Sequence, residues 1–166
     1  MHDGANRAER TAVVLDTNVL IAAGFNPRSN AARIVSAVRR SHLRAIWCPE
    51  TKHENESLIR KIPPLSWSAF ADLFDEGHCY REKLDLSAFS YVPDSSDRVF
   101  AALAHAARAT LITQDDHLLA ARSRADVPFL SPHEFVRFML RDAGETLPCE
   151  LLARLTPEQP TEEAAQ

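Results

Sequence analysis

Two aspartates occupy the same kind of address in this sequence. Asp16, followed by Thr17 and Asn18, comes directly after the apolar run AVVL (12–15). Asp115, in Thr113-Gln114-Asp115-Asp116, closes the run TLIT (110–113) in the same way. A carboxylate just beyond a buried strand is costly unless a cation or several N–H donors offset its charge. Two at neighbouring strand ends repel each other when both are ionised. A hard divalent ion, Mg²⁺ or Mn²⁺, removes that conflict because it takes oxygen ligands and keeps its own waters. The plainer reading of either aspartate alone is a cap on the turn or helix that follows. Asp97 sits where a helix should begin, and the macrodipole there favours an anion; Asp94 competes with it for the cap. Glu54, among His53, Asn55 and Glu56, reads by itself as part of a solvated helix face, and its spacing does not turn it toward Asp16.

The elements that must hold these residues alternate between strand and helix. The apolar run 12–15 predicts a buried strand, and Gly24, Asn26 and Pro27 a loop after it. Ser29 or Asn30 caps a helix with Ala31, Ile34, Val35 and Val38 on one face. AIWC (45–48) predicts a second strand, and Pro49 opens a helix over 50–61 that Pro63-Pro64 stops. Trp67, Phe70, Leu73 and Phe74 have helical spacing over 66–76, with Gly77 as the stop. The link 78–93 carries no clear signal. Asp94, Ser95 and Ser96 offer caps for a helix over 97–108 with Val99, Leu103 and Ala106 on one face. TLIT (110–113) is a third strand, a short helix covers 116–123, and PFL (128–130) is a fourth strand. Ser131-Pro132-His133-Glu134 is a capping box opening a helix to about 141. This alternation favours a mainly parallel sheet covered on both faces, with its functional crevice beyond the carboxyl ends of the strands.

With 166 residues, the chain suits one domain over 11–141, after a flexible N-terminus (1–10) and before an acidic, partly disordered extension (142–166). The polar start MHDGANRAER lacks the core of a signal peptide, and no apolar run approaches membrane-spanning length. Three widely spaced cysteines, Cys48, Cys79 and Cys149, argue against a disulfide framework or a zinc ribbon and for a cytoplasmic setting. The net charge of −4 is uneven: the stretch 28–61 holds eight Lys and Arg against three acids, while 142–166 holds six acids and one Arg. The basic stretch permits phosphate binding. The seven His residues show no zinc spacing, and no Gly-rich phosphate loop or G-x-S-x-G is present. His117 reads as a solvent-facing or capping residue, and Trp47 and Trp67 as core.

VVLDTNVLIAA (13–23), a Glu on the helix after the second strand, and DRVFAALAHAARATLITQDDHLL (97–119) together resemble the PIN-domain family, which includes the VapC-type toxin ribonucleases. PFLSPHEFVRFML (128–140) is similar to the family's last strand and helix, so the resemblance runs from about 12 to 140. It implies a three-layer α/β/α fold around a mainly parallel sheet of four or five strands. It also implies a metal-dependent endoribonuclease using Mg²⁺ or Mn²⁺, with Asp16, Glu54, Asp97 and Asp115 as catalytic residues. Asp16, Asp97 and Asp115 would be the metal ligands, and Glu54 would position the attacking water or a second ion. Asn18 and Thr113 match polar residues that hydrogen-bond within the site, and Asp116 assists. A homodimer and a cognate antitoxin are the implied partners besides RNA. CPETKHENE (48–56) is more polar than the family's usual approach to this Glu, which leaves Glu56 as an alternative to Glu54 and Glu50 as a remote one. Gln114 replaces the commoner Gly. The extension after 142 has no clear counterpart in a minimal PIN domain.

Two other readings differ in class. A PIN-like module that binds RNA or protein without cutting would not need four carboxylates close to phosphate. A HAD-like phosphatase also begins with an aspartate after its first strand, but its D-x-D requires an acid where Asn18 stands.

Overall fold

The computed structural model describes residues 11–142. The flexible N-terminus and the acidic extension past 142 expected from the sequence, and Cys149, lie outside the described residues. Four strands, β1 (Ala12–Leu15), β2 (Arg44–Ala45), β3 (Thr110–Ile112) and β4 (Phe129–Leu130), form one sheet in the order β2-β1-β3-β4. Every pairing is parallel. The helices are α1 (Thr17–Phe25), α2 (Asn30–Arg39), α3 (Pro49–Ile59), α4 (Ser95–Ala107), α5 (Asp116–Ala120) and α6 (Pro132–Asp142). The sheet therefore belongs to the expected three-layer α/β/α class. No helix among the described residues is long and apolar enough to cross a membrane.

Side-chain alternation along the strands explains why β1 reads as an unbroken apolar run. Val13 and Leu15 enter one core with Ile34, Val35, Phe135 and Val136 from α2 and α6. Val14 points the other way, into a core with Phe100, Leu103, Leu111 and Phe129. Both faces are covered, so both sets of side chains must be apolar. The chain goes from β1 to one neighbour, β2, and then crosses to the other, β3. The direction of winding thus reverses between β1 and β3, and a crevice opens there beyond the strand ends.

Local capping matches several expectations. The Ser29 hydroxyl accepts from the Ala32 N–H at the start of α2. Ser131 and Glu134 exchange the two bonds of a capping box at α6, at 3.2 and 3.1 Å. Pro49 occupies the first turn of α3.

Other expectations need correction. Of the residues read as a loop after β1, Asn26 and Pro27 do lie in the turn between α1 and α2, but Gly24 lies inside α1. A Cβ on Gly24 would lie 2.8 Å from Leu65 Cδ2 and 3.0 Å from Phe70 Cζ, so that glycine serves close packing rather than a turn. The helix expected over 66–76 is instead three 3₁₀ turns, Trp67–Ala69, Ala71–Leu73 and Glu76–His78, the last containing Gly77. Two of its carbonyls are claimed from outside: Ala69 by the Arg39 guanidinium and Asp75 by the Trp47 indole N–H. The second strand is shifted and short, covering Arg44–Ala45 rather than 45–48, with Trp47 making a separate parallel bridge to Cys79. On α4 the buried stripe is Phe100–Ala104, while Ala106 is exposed. Trp47 is buried as expected, and Trp67 is half-buried against Phe74.

Candidate active site

The site lies at the switch point, where β1 and β3 end side by side. Leu15 pairs with Ile112, and the Asp16 N–H continues the ladder to the Ile112 carbonyl at 3.0 Å. This register sets Asp16 beside Thr113. The Thr113 hydroxyl donates to Asp16 Oδ2 at 2.7 Å and accepts the Asp115 N–H at 3.0 Å. One fully buried threonine therefore ties together the two aspartates that end neighbouring strands.

The capping alternatives divide among the acids. Asp115 does cap α5, accepting from the Leu118 N–H through Oδ1 at 3.0 Å, so that oxygen is committed to the helix. Asp16 precedes α1 without a side-chain cap bond to it in the usual N2 or N3 sense. At α4 the cap is Asp94, which accepts from the Ser96 N–H at 2.9 Å and from the Ser96 hydroxyl at 2.7 Å. Asp97 is thereby released from capping and sits in the first turn of α4, within the electrostatic reach of the other acids.

The acids act on one another electrostatically. Burial pushes the Asp16 carboxyl above the ordinary range, while the Thr113 hydroxyl and the Thr17 backbone N–H pull it down and Asp115 and Glu54 push it up further. Asp97 is pushed up to about 7, first by burial and then by the charges of Asp16, Asp115 and Asp94, with His117 opposing. Asp16, Asp97 and Asp115 thus repel one another, and the charge of Glu54, on α3, acts on Asp16. Glu56 turns elsewhere: its carboxylate pairs with the Arg60 guanidinium at 2.7 Å. Glu50 is exposed in the first turn of α3.

The remaining expected residues separate into buried and exposed. Asn18 is exposed and makes no side-chain hydrogen bond among the described residues, so the bonding implied for it within the site is not made here; Asp116 and His117 are also exposed, on the first turn of α5. The missed residues are Thr17 and Asn55. Both are buried, and the Thr17 hydroxyl donates to Asn55 Oδ1. Asn55 looked like part of a solvated face because its neighbours are charged, and no local signal marks a polar residue that turns inward to meet another helix.

The donor set is all oxygen, and carboxylates whose charges act on one another fit a hard divalent cation. As the side chains stand, no three His, Cys, Asp or Glu among the described residues converge closely enough to hold an ion. The mutual repulsion of Asp16, Asp97 and Asp115 is a physical reason for them to stand apart, and a cation reverses its sign.

The basic stretch is less available than its composition implies. Arg39 pairs with Asp72 at 3.0 Å and Arg60 with Glu56. Arg44 aligns with Ala12 at the opposite end of the sheet from Asp16, four residues or roughly 13 Å of strand away.

Residues 12–117 match the family model described as PIN domain. The match takes in all four acidic positions and stops at the first turn of α5. No curated protein and no solved structure matches the chain.

Proposed function

The chain belongs to the PIN-domain family, and from that we propose that it is a metal-dependent endoribonuclease that hydrolyses RNA phosphodiester bonds. PIN domains are generally nucleases and generally use divalent metal ions. The observation that carries the reading is the gathering of Asp16, Asp97, Asp115 and Glu54 at the switch point of the sheet, with Asp97 pushed up to about 7 by burial and then by the charges of its neighbours.

Asp16, Asp97 and Asp115 would hold Mg²⁺ or Mn²⁺. Such an ion supplies positive charge for the scissile phosphate and acidifies water. Glu54 would orient the attacking water by accepting its hydrogen bond. Thr113 fixes the Asp16 carboxylate through its hydroxyl and the Asp115 backbone through its oxygen. The Leu118 N–H holds Asp115 Oδ1, which leaves Oδ2 for the ion. The family resemblance carries the finer proposal that this nuclease is the toxin of a toxin–antitoxin pair, a cytoplasmic homodimer silenced by its antitoxin.

The test is cleavage of end-labelled single-stranded and structured RNAs by the purified protein with Mg²⁺, Mn²⁺ or EDTA. Cutting that appears with either metal and stops with EDTA is the expected result. RNA that is bound but left intact under all three conditions would replace the enzyme with a non-catalytic binding module.

A further inference from the structure

We propose that the buried hydrogen bond between Thr17 and Asn55 is a strut that sets Glu54 against Asp16, making Thr17 and Asn55 positioning residues of the site. The inference rests on the nuclease reading above. Each partner is the immediate chain neighbour of one of the acids it would align: Thr17 follows Asp16, and Asn55 follows Glu54. The two are 2% and 3% exposed, and 38 residues separate them in the chain, so the bond joins two independent segments, α1 and α3. Thr17 acts on both sides of the gap. It follows Asp16 directly in the chain, and its hydroxyl holds the helix that carries Glu54.

Stability alone does not account for the pair. Asn is a poor residue for a helix interior, and burying an amide with a hydroxyl gives little net gain over apolar side chains of the same shape. What such a bond supplies, and an apolar contact does not, is direction. A cavity of about 20 Å³ lies alongside, lined in part by Leu20, Trp47, Thr51 and Phe74. Thr51 cannot take over as the partner, because its hydroxyl bonds the backbone N–H and carbonyl of Cys48 at 3.0 Å each and so closes the first turn of α3. The helix is thus fixed to its own start by Thr51 and to the catalytic strand end by Asn55.

The test compares wild type with Thr17→Val, Thr17→Ala and Thr17→Ser. It reads melting temperature, Mn²⁺ affinity by titration calorimetry, and kcat and KM separately on a cleaved RNA. In whichever of the Val and Ala variants folds, kcat should fall about 10–100-fold, the usual cost of losing a group that orients a metal-site residue. KM should stay within about 3-fold of wild type, because a strut beneath the acids touches no RNA, and Thr17→Ser should recover most of the rate. A folded Val or Ala variant with wild-type kcat, or a Ser variant no better than Val, overturns the proposal. If wild type cuts no RNA, the function reading fails by itself and the strut is read from Mn²⁺. Binding about 10-fold weaker in Val and restored in Ser supports the strut, and equal binding overturns it. A wild type that neither cuts nor binds Mn²⁺ overturns both readings.

Discussion

Asp16→Asn is expected to lower RNA cleavage by well over 100-fold and, in metal-free buffer at pH 7–8, to raise the melting temperature. Groups that merely orient a metal ligand cost about 10–100-fold when lost, so a proposed ligand should cost more. The stability gain follows from the sign of the shifts. The Asp16 and Asp97 carboxyls both titrate above their ordinary values in the folded chain, Asp97 at about 7. Between roughly pH 4 and 7 the folded state therefore holds protons that the unfolded state has released, and stability falls as pH rises through that window. Asparagine at 16 keeps an oxygen for the Thr113 hydroxyl but removes the charge that repels Asp97 and Asp115. The melting curve of the variant in EDTA should accordingly depend less on pH than that of wild type. Labelled-RNA cleavage with parallel circular-dichroism melts at pH 5 and pH 8 checks both halves. A folded variant that cuts at the wild-type rate removes Asp16 from the mechanism. One that cuts poorly because it melts early would indicate a structural role instead.

The second large effect is expected at Thr113. Valine has nearly the same shape, so Thr113→Val isolates the hydroxyl at a fully buried position. Its loss deprives Asp16 Oδ2 of a donor and the Asp115 N–H of an acceptor. A hydrogen bond to a charged group contributes about 1.5–3 kcal/mol, and a buried donor left unpaired costs about 1–3 kcal/mol. Relaxation of the strand ends will offset part of this, which leaves an expected net loss of about 2–3 kcal/mol by urea unfolding. Cleavage should fall about 10–100-fold because both aspartates lose their alignment. Thr113→Ser keeps the hydroxyl and should stay close to wild type in rate. Equal rates for Val and wild type would mean that the Thr113 bonds are incidental to the chemistry.

The parts of the fold legible in the sequence are those whose signals are local. The apolar run before Asp16, the Ser29 cap and the Ser131–Glu134 box all act within a few residues, and the structure contains each of them. The segment 66–76 has helical aromatic spacing, yet two of its carbonyls, Ala69 and Asp75, are claimed by Arg39 and Trp47, which are distant in sequence. Gly24 misled in the opposite direction, resembling a loop residue when its value is the room it leaves for Leu65 and Phe70. At the site, the strand-end aspartates were readable from position alone. The Asp94 cap that releases Asp97 and the pairing of Glu56 with Arg60 are local contacts, two and four residues apart, that compete with other local choices, whereas the inward turn of Asn55 depends on Thr17, a partner that no local pattern specifies.

The central claim, that these acids form one divalent-cation site, is tested most directly by titrating Mn²⁺ into metal-free wild type and Asp16→Asn by calorimetry at pH 7.5. The account predicts a saturable site in wild type that is lost or greatly weakened in the variant, with protons released on binding because the Asp97 carboxyl, at about 7, must ionise fully. Saturable binding of equal strength in both proteins, or none in wild type, would contradict it.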